Sequence, residues 1–235
     1  MICKHGEWGN ALIAAMPDAV LQRLRPALEL VELPAGMVLS EAGTRPAHVY
    51  FPVTALVSLM KVLADGWSSE ISLVGIQGFV GLQVFLGNGP APMRSVVQIA
   101  GHAYRLPASA LQQELNRSAL APLLSRYTLS LIAEVAQSAV CNCHHTLEQQ
   151  LCRRLLLILD RLPPSEELRM TQERIASILG VRREGVTLAA GRLQKDGIIR
   201  YSRGNIRVVN REALERRVCE CYAIIRHETK RALEG

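Results

Sequence analysis

The stretch "SILGVRREGVTLAAGRLQKDG", residues 177–197, constrains the fold more than any other part of the sequence. It contains two short helical patterns, and each of them ends at a glycine, Gly180 and Gly197. Thr171 is a suitable N-cap for the first helix, with Glu173 in its first turn. Because glycine readily adopts the left-handed conformation that closes a helix, this pattern predicts two helices joined by a tight turn, a helix-turn-helix.

The second helix has two faces of different composition. Its inner face is expected to carry small apolar residues that permit close packing across the first helix, namely Val186, Ala189, Ala190 and Leu193. The other face would then remain free to enter a major groove of DNA. We therefore predict DNA contacts from the start and the free face of this helix: Arg182, Arg183, Glu184, Thr187 and Leu188.

The segment around this helix pair holds the basic excess of the chain. Residues 169–211 include ten Lys or Arg and three Asp or Glu, whereas the remainder has seventeen basic and eighteen acidic residues. The following "IIRYSRGNIRVV" predicts a hairpin with a turn at Arg203-Gly204, whose Arg200, Arg203 and Arg207 would lie on phosphates. A basic surface on a helix-turn-helix indicates a polyanion as partner.

The N-terminal half follows a different pattern. Between residues 33 and 106, glycines separate short apolar runs, and Asp65-Gly66 is a hairpin signal, so a β-sandwich or barrel is predicted. Pro107 then opens a short helix that reaches about Leu115. No apolar run is long enough to span a bilayer and no signal peptide is apparent, so we expect a cytoplasmic protein.

A long helix is predicted from about residue 120 to residue 145. Apolar residues recur on it in steps of three and four, at Leu124, Tyr127, Leu131 and Val135. Such spacing indicates a seam for another helix. The seam could pack against the chain's own sheet, but the length of the helix and its place between the two units favour a dimer contact.

The chain as a whole resembles the Crp/Fnr family of bacterial transcription regulators, and "MTQERIASILGVRREGVTLAAGRLQKDGIIRYSRGNIRVVN" is the most specific part. The resemblance implies an α+β protein with an N-terminal double-stranded β-helix or jelly-roll effector domain (1–117), a dimerisation helix and hinge (118–148), and a winged helix-turn-helix (149–235). It also implies a homodimer on a near-palindromic operator, with RNA polymerase as a further partner. Family members read bases with an Arg-Glu pair, matched here by Arg183 and Glu184.

Two positions depart from the family pattern. Many members have an arginine four residues after the base-reading glutamate, where this chain has Leu188. In the effector pocket, "GFVGLQVFLG" puts Leu82 after Gly81, where cyclic-nucleotide binders carry a glutamate for the ribose hydroxyl. Arg94 and Ser95 match the phosphate-binding pair. Because a lost acceptor leaves a buried hydroxyl unpaired, we expect cyclic AMP not to be the effector, and the cofactor stays unknown.

The cysteines and histidines of "AVCNCHHTLEQ", residues 139–149, suggest chemistry. Cys141 and His145 share a helix face, and two chains together could supply four zinc ligands. The spacing matches no standard metal motif, so we expect Cys141 and Cys152 to be core residues and no permanent metal site to be present. Cys219 and Cys221 are likewise expected to be packing residues.

Three functions follow from these features. The first is a sequence-specific DNA-binding regulator with an effector, and the second a constitutive regulator or scaffold whose β-roll serves only for assembly. The third is an enzyme that uses Cys141 or Cys143 with His144 or His145. Adjacent residues on a helix point apart and no third orienting residue is apparent, so we do not expect an enzyme.

Overall fold

A computed structural model describes residues 8–66, 68–117, 119–163, 168–202 and 205–234. The strands are β1 (Glu29–Leu33), β2 (Val38–Ser40), β3 (His48–Pro52), β4 (Leu56–Val62), β5 (Ser68–Val74), β6 (Arg94–Ile99), β7 (Gly101–Pro107), β8 (Leu168–Arg169), β9 (Ile199–Ser202) and β10 (Asn205–Val208). The helices are α1 (Ala11–Ala14), α2 (Asp18–Leu24), α3 (Leu82–Phe85), α4 (Ala108–Leu115), α5 (Ala121–His144), α6 (Leu147–Asp160), α7 (Gln172–Leu179), α8 (Arg183–Lys195), α9 (Arg211–Arg217) and α10 (Cys221–Glu234).

The N-terminal half is a two-sheet β-roll. One antiparallel sheet has the strand order β1-β7-β3 and the other the order β2-β6-β4-β5. Side chains of both sheets meet in a shared core, including Leu33, Val57, Val97 and Ala103. The hairpin expected at Asp65-Gly66 joins β4 to β5. The jelly-roll prediction for this half is therefore confirmed.

The outer face of the three-stranded sheet is covered by helices. Alternate side chains of this sheet point away from the core between the two sheets. Those of Val49, Phe51 and Leu106 pack with α1, α2, α4 and the start of α5. The helix expected after Pro107 is α4, which ends at Leu115 as predicted. These four helices therefore cover the outer face of the three-stranded sheet.

The C-terminal half packs on the four-stranded sheet. Its core takes in Leu56 and Leu73 from that sheet. Two buried ion pairs join the C-terminal half to the rest of the chain. Arg154 on α6 pairs with Glu70 on β5, and Arg161 pairs with Glu134 on α5. Helix α10 runs back along α5, where the Arg126 guanidinium donates to the carbonyl of Ala232. Among the described residues, no helix has both the length and the apolar character needed to cross a bilayer.

The long helix α5 is confirmed, but the orientation of its predicted seam is not. Leu124 is fully buried in the chain's own core. Tyr127 is also buried there, and its hydroxyl hydrogen-bonds to the Phe79 backbone. Leu131 packs partly against the β-roll core. Leu124 and Tyr127 therefore cannot face a second copy, and of the predicted seam only the partly buried Leu131 and the exposed Val135 remain available.

Candidate functional site

Helices α7 and α8 form a helix-turn-helix with the boundaries that the glycines predict. The Thr171 side chain accepts a hydrogen bond from the Arg174 backbone N–H, which caps α7. Gly180 follows with φ +66°, so the chain turns in the left-handed conformation. Val186, Ala189, Ala190 and Leu193 are all buried, as expected. The small side chains let α8 cross α7 closely, and the Thr187 hydroxyl donates to Gln172 of α7 at 2.7 Å.

The opposite face of α8 is exposed over its whole length. Arg182 occupies the N-cap position and makes no capping hydrogen bond, and Arg183 begins the helix. The exposed residues of this face are Arg182, Arg183, Glu184, Thr187, Leu188, Gly191 and Lys195. Leu188 leaves 67% of its surface in solvent. All five side chains predicted from α8 for DNA contact are therefore accessible to a partner.

The two arginines at the start of α8 are electrostatically unfavourable for the isolated protein. The N-terminus of a helix carries the positive end of its dipole, so cations there are destabilising. Within the described parts of the chain, neither Arg182 nor Arg183 lies within ion-pair distance of a carboxylate. By contrast, Arg211 pairs with Asp160 at 2.5 Å and Arg217 with Glu148 at 2.9 Å. An external anion at the start of α8 would offset the positive charges of Arg182 and Arg183.

The wing follows α8 as a three-stranded sheet in the order β8-β10-β9. Strands β9 and β10 pair antiparallel from Ser202↔Asn205 to Ile199↔Val208, which confirms the predicted hairpin. Arg200 and Arg207 are exposed on these strands and occupy directly opposite positions in the register of β9 and β10. Arg203, the remaining predicted contact, and its neighbour in the turn lie outside the described residues.

A second exposed surface lies on α5. Six residues recur on it in steps of four and three, and all are exposed: Ser125, Leu129, Ile132, Ala136, Ala139 and Cys143. We call these six residues the α5 stripe. Leu129 and Ile132 leave 54% and 59% of their surfaces in solvent, and the adjacent Val135 and Val140 are also exposed. The stripe contains no charged residue. Its regular spacing matches the seam of a two-helix coiled coil.

Sequence reasoning missed this stripe for an identifiable reason. Two parallel rows of four-and-three spacing run along α5, and the row through Leu124 and Tyr127 has the larger side chains. That row faces the chain's own β-roll because Gly78 leaves room for the Tyr127 ring, which a Cβ at that glycine would meet within 2.7–2.8 Å. The serine and alanines of the α5 stripe give a weaker signal in the sequence.

The β-roll residues expected to bind an effector already have partners within the chain. Gly81 has φ +114°, and a Cβ there would come within 2.6 Å of Val49, so the backbone itself requires this glycine. Leu82 packs partly against the apolar core beneath α3. Arg94 forms an ion pair with Glu41, at 3.2 Å from Nε to the carboxylate. The Ser40 hydroxyl lies 3.1 Å from that of Ser95.

The cysteines and histidines at the end of α5 are not arranged as a nucleophile and its base. Cys141 is fully buried, and burial raises the pKa of its thiol, so it is not an accessible nucleophile. Cys143 and His144 are exposed and adjacent at the end of α5, where neighbouring side chains point in different directions. Cys152 is a fully buried core residue, as expected.

Each half of the chain matches a known protein-domain family. The cyclic nucleotide-binding domain profile matches residues 30–118, and the Crp-like helix-turn-helix domain profile matches residues 149–217. The two profiles together span most of the chain. No curated protein sequence matches it.

Solved structures share the fold at low sequence identity. FixK2 from Bradyrhizobium japonicum superposes with a TM-score of 0.70 at 18% identity, over 82% of this chain and 98% of its own. TTHA1359, a CRP/FNR-family regulator from Thermus thermophilus, gives 0.62 at 23%, over 80% and 97%. The c-di-GMP-responsive regulator CLP from Xanthomonas campestris gives 0.61 at 15%, over 82% and 99%. TTHA1359 is a transcriptional regulator, and CLP is a global regulator that links cell–cell signalling to virulence gene expression.

The β-roll, the long helix and the winged helix-turn-helix are thus accounted for by one family. The chain belongs to the Crp/Fnr family of DNA-binding transcription regulators.

Proposed function

We propose that this regulator works as a homodimer that places two copies of α8 in successive major grooves of a near-palindromic operator. The observation that carries the proposal is the exposed polar face of α8, with Arg182 and Arg183 unpaired among the described residues at its N-terminus. Arg183 is suited to donate two hydrogen bonds to a guanine edge, and Glu184 to accept one from a cytosine amino group. Thr187 and Leu188 would complete the contacts to bases.

The wing supplies affinity rather than sequence reading in this proposal. Arg200 and Arg207 are exposed on the paired strands β9 and β10, and Arg203 lies between the two strands in the sequence. Arginines on such a hairpin contact phosphates, which fix the protein on the duplex without distinguishing bases. Specificity is therefore assigned to α8 and non-specific attraction to the wing.

Dimerisation through the α5 stripe would set the spacing between the two recognition helices. The stripe offers a continuous uncharged surface, and Crp/Fnr regulators act as dimers. Burial of exposed apolar area contributes about 25 cal/mol per Å², so pairing two copies of Leu129, Ile132 and their neighbours is favourable. Half-sites should then lie about one helical turn apart, roughly 34 Å.

The direct test is to select DNA fragments with the full-length protein from a random pool and to sequence those retained. An inverted repeat with centres about one helical turn apart supports the proposal. Enrichment of a single unrepeated site, or no enrichment over scrambled DNA, contradicts it. RNA polymerase is the further partner we propose, and transcription in vitro from a selected operator tests that contact separately.

We infer that cyclic AMP is not the signal read by the β-roll. Leu82 offers no acceptor for a ribose hydroxyl, and the guanidinium of Arg94 is paired with Glu41. Calorimetric titration with cyclic AMP should therefore show no dissociation constant below about 10 µM, which corresponds to about 7 kcal/mol of binding free energy. Tighter binding would contradict this inference.

The same ion pair favours a second candidate, a regulator without an effector. Glu41 already places a negative charge beside Arg94, so the β-roll needs no bound anion to balance that arginine. Footprints of the protein as purified and after addition of a panel of small anions and nucleotides distinguish the two candidates. Equal footprints throughout support the constitutive regulator, and a ligand-dependent footprint supports the regulated one.

A further inference from the structure

Four side chains of metal-binding type meet beside the hinge between α5 and α6. The sulfur atoms of Cys141, Cys219 and Cys221 and a ring nitrogen of His145 all lie within 4.8 Å of one another. We call these four residues the thiol–imidazole cluster. The three cysteines are buried, and the histidine side chain is 17% exposed. All four lie outside the segments matched by the two family profiles.

Two separations within the cluster are close to the edges of a tetrahedral zinc site. The Sγ atoms of Cys141 and Cys219 are 3.6 Å apart, and Cys221 Sγ lies 3.4 Å from Nδ1 of His145. Zinc bonds of about 2.3 Å to sulfur and about 2.0–2.1 Å to nitrogen place neighbouring ligand atoms about 3.8 Å and about 3.6 Å apart. A disulfide would need its sulfurs at about 2.05 Å. The cluster is therefore spaced for a common ion rather than for a sulfur–sulfur bond.

Two elements distant in sequence supply two ligands each. Cys141 and His145 are four residues apart at the C-terminal end of α5, so they share a face. Cys219 lies in the connection from α9 to α10 and Cys221 is the first residue of α10, so the chain changes direction at these two thiols. Packing of α10 along α5 brings the pairs together. The spacing within either segment alone does not resemble a complete metal motif.

Neighbouring polar groups are placed as the outer partners of such a site. The Nε2 atom of His145, opposite the nitrogen that faces Cys221, lies 3.4 Å from a carboxylate oxygen of Glu220. This arrangement orients an imidazole with Nδ1 free to bind a metal and Nε2–H directed to a carboxylate. The Gln137 amide donates to Cys221 Sγ at 3.1 Å, and such a donor stabilises a thiolate ligand.

We propose that the thiol–imidazole cluster binds one Zn²⁺ ion per chain as a closed Cys₃His site that fastens α10 to the end of α5. Thiolate ligands favour zinc over hard cations such as Mg²⁺ and Ca²⁺. Four protein ligands leave no open position for a substrate, which makes the role structural. The site replaces our expectation of no permanent metal, and also the zinc site shared between two chains that the sequence allowed.

The position of the cluster gives the ion a defined mechanical effect. His145 is the C-cap of α5 and Thr146 the N-cap of α6, so the ion would hold the junction through which the β-roll and the DNA-binding half are connected. Without the ion, packing and hydrogen bonds hold this junction, among them the bond from Gln150 to the His145 carbonyl, 2.9 Å, and the bond from Arg153 to the Ser138 hydroxyl, 2.8 Å. Zinc is therefore expected to raise the midpoint of thermal unfolding.

The first experiment measures metal content of the full-length protein after exposure to Zn²⁺ under reducing conditions and removal of excess ion. Wild type should retain about one zinc per chain, and Cys219→Ser and His145→Ala should each weaken zinc binding at least about tenfold. Cys143→Ser is the matched control, because Cys143 lies two residues from Cys141 but outside the cluster, on the exposed side of α5. Cys152→Ser controls for loss of a buried thiol.

A second measurement does not depend on variants that fold. Titration of the metal-free wild-type protein with Co²⁺ should give thiolate-to-metal charge-transfer absorption and the intense visible bands of tetrahedral cobalt, which Zn²⁺ then abolishes. Absence of these bands overturns the proposal. So does equal zinc retention by wild type, Cys219→Ser and His145→Ala. Both readouts are independent of DNA binding, so a failed operator selection does not affect them.

Discussion

Helices α5 and α8 both expose a large aliphatic side chain, but in different surroundings. Ile132 on α5 and Leu188 on α8 are exposed to nearly the same degree. The α5 stripe around Ile132 is uncharged, consisting of serine, alanine, cysteine and aliphatic residues. Leu188 is flanked on its face of α8 by Arg183, Glu184 and Thr187. The two side chains are therefore similarly exposed, but the surface around Ile132 is uncharged whereas the surface around Leu188 carries charges.

This difference indicates the partner of each helix. A protein surface that buried Leu188 would also have to desolvate the charges around it, which is costly unless each is paired. A major groove offers a thymine methyl group together with acceptors and donors on the base edges, so it suits the mixed face of α8. The α5 stripe has no charge to desolvate and suits a second copy of itself. Exposure alone would not have separated the two roles.

The largest expected effect comes from a charge in the α5 stripe. Ile132→Asp should convert the proposed dimer to monomers, because an unpaired buried charge costs about 3–5 kcal/mol and the dimer would contain two of them. Sedimentation equilibrium measures the change. Ile224→Asp on α10 is the matched control, since Ile224 is 41% exposed and lies outside the stripe. A dimer that survives Ile132→Asp but not Ile224→Asp would transfer the interface to α10.

The inward side of α5 should respond in folding rather than in assembly. Glu134 accepts a hydrogen bond from Arg161 at 2.6 Å and another from Ser72 at 3.1 Å, in a buried site. Glu134→Ala leaves the guanidinium buried without its partner and should lower the free energy of unfolding by about 3–5 kcal/mol. Chemical denaturation measures this loss. An unchanged unfolding midpoint would mean that water solvates Arg161.

The recognition helix should show a smaller effect that depends on DNA sequence. Arg183→Ala should cost about 1–3 kcal/mol per half-site and relax the preference at one base pair. Arg200→Ala in the wing should weaken operator and scrambled duplex alike, and should reduce the salt dependence of binding. Binding of both variants to both duplexes at two salt concentrations separates the roles. Equal weakening of the two duplexes by Arg183→Ala would make Arg183 a phosphate contact.

The smallest effect is expected at Leu188. Leu188→Ala removes an apolar contact with a thymine methyl group and should cost about 1 kcal/mol or less per half-site, without altering folding. Selection of operators by this variant should show a loss of thymine preference at one position. If Leu188→Ala instead changes the sedimentation of the protein, α8 takes part in assembly and the distinction between the two helices fails.

The sequence by itself determined the helix-turn-helix. Gly180, Gly197 and the small residues Val186, Ala189 and Ala190 fix the boundaries and the inner face of α8. They do so because α8 packs on α7, which immediately precedes it, and on neighbouring elements of the same half. When a helix has one apolar face and nearby partners, its periodicity assigns the free face. The β-roll was likewise evident from its glycine-separated strands.

Only the tertiary structure decided the orientation of α5 and the composition of the thiol–imidazole cluster. Helix α5 contacts the β-roll and α10 and leaves the α5 stripe free, so apolar residues occur on several faces and periodicity cannot assign them. Cys219 and Cys221 join Cys141 and His145 only because α10 folds back along α5. Contacts between segments so distant in sequence arise from packing of the whole chain, which a local pattern does not contain.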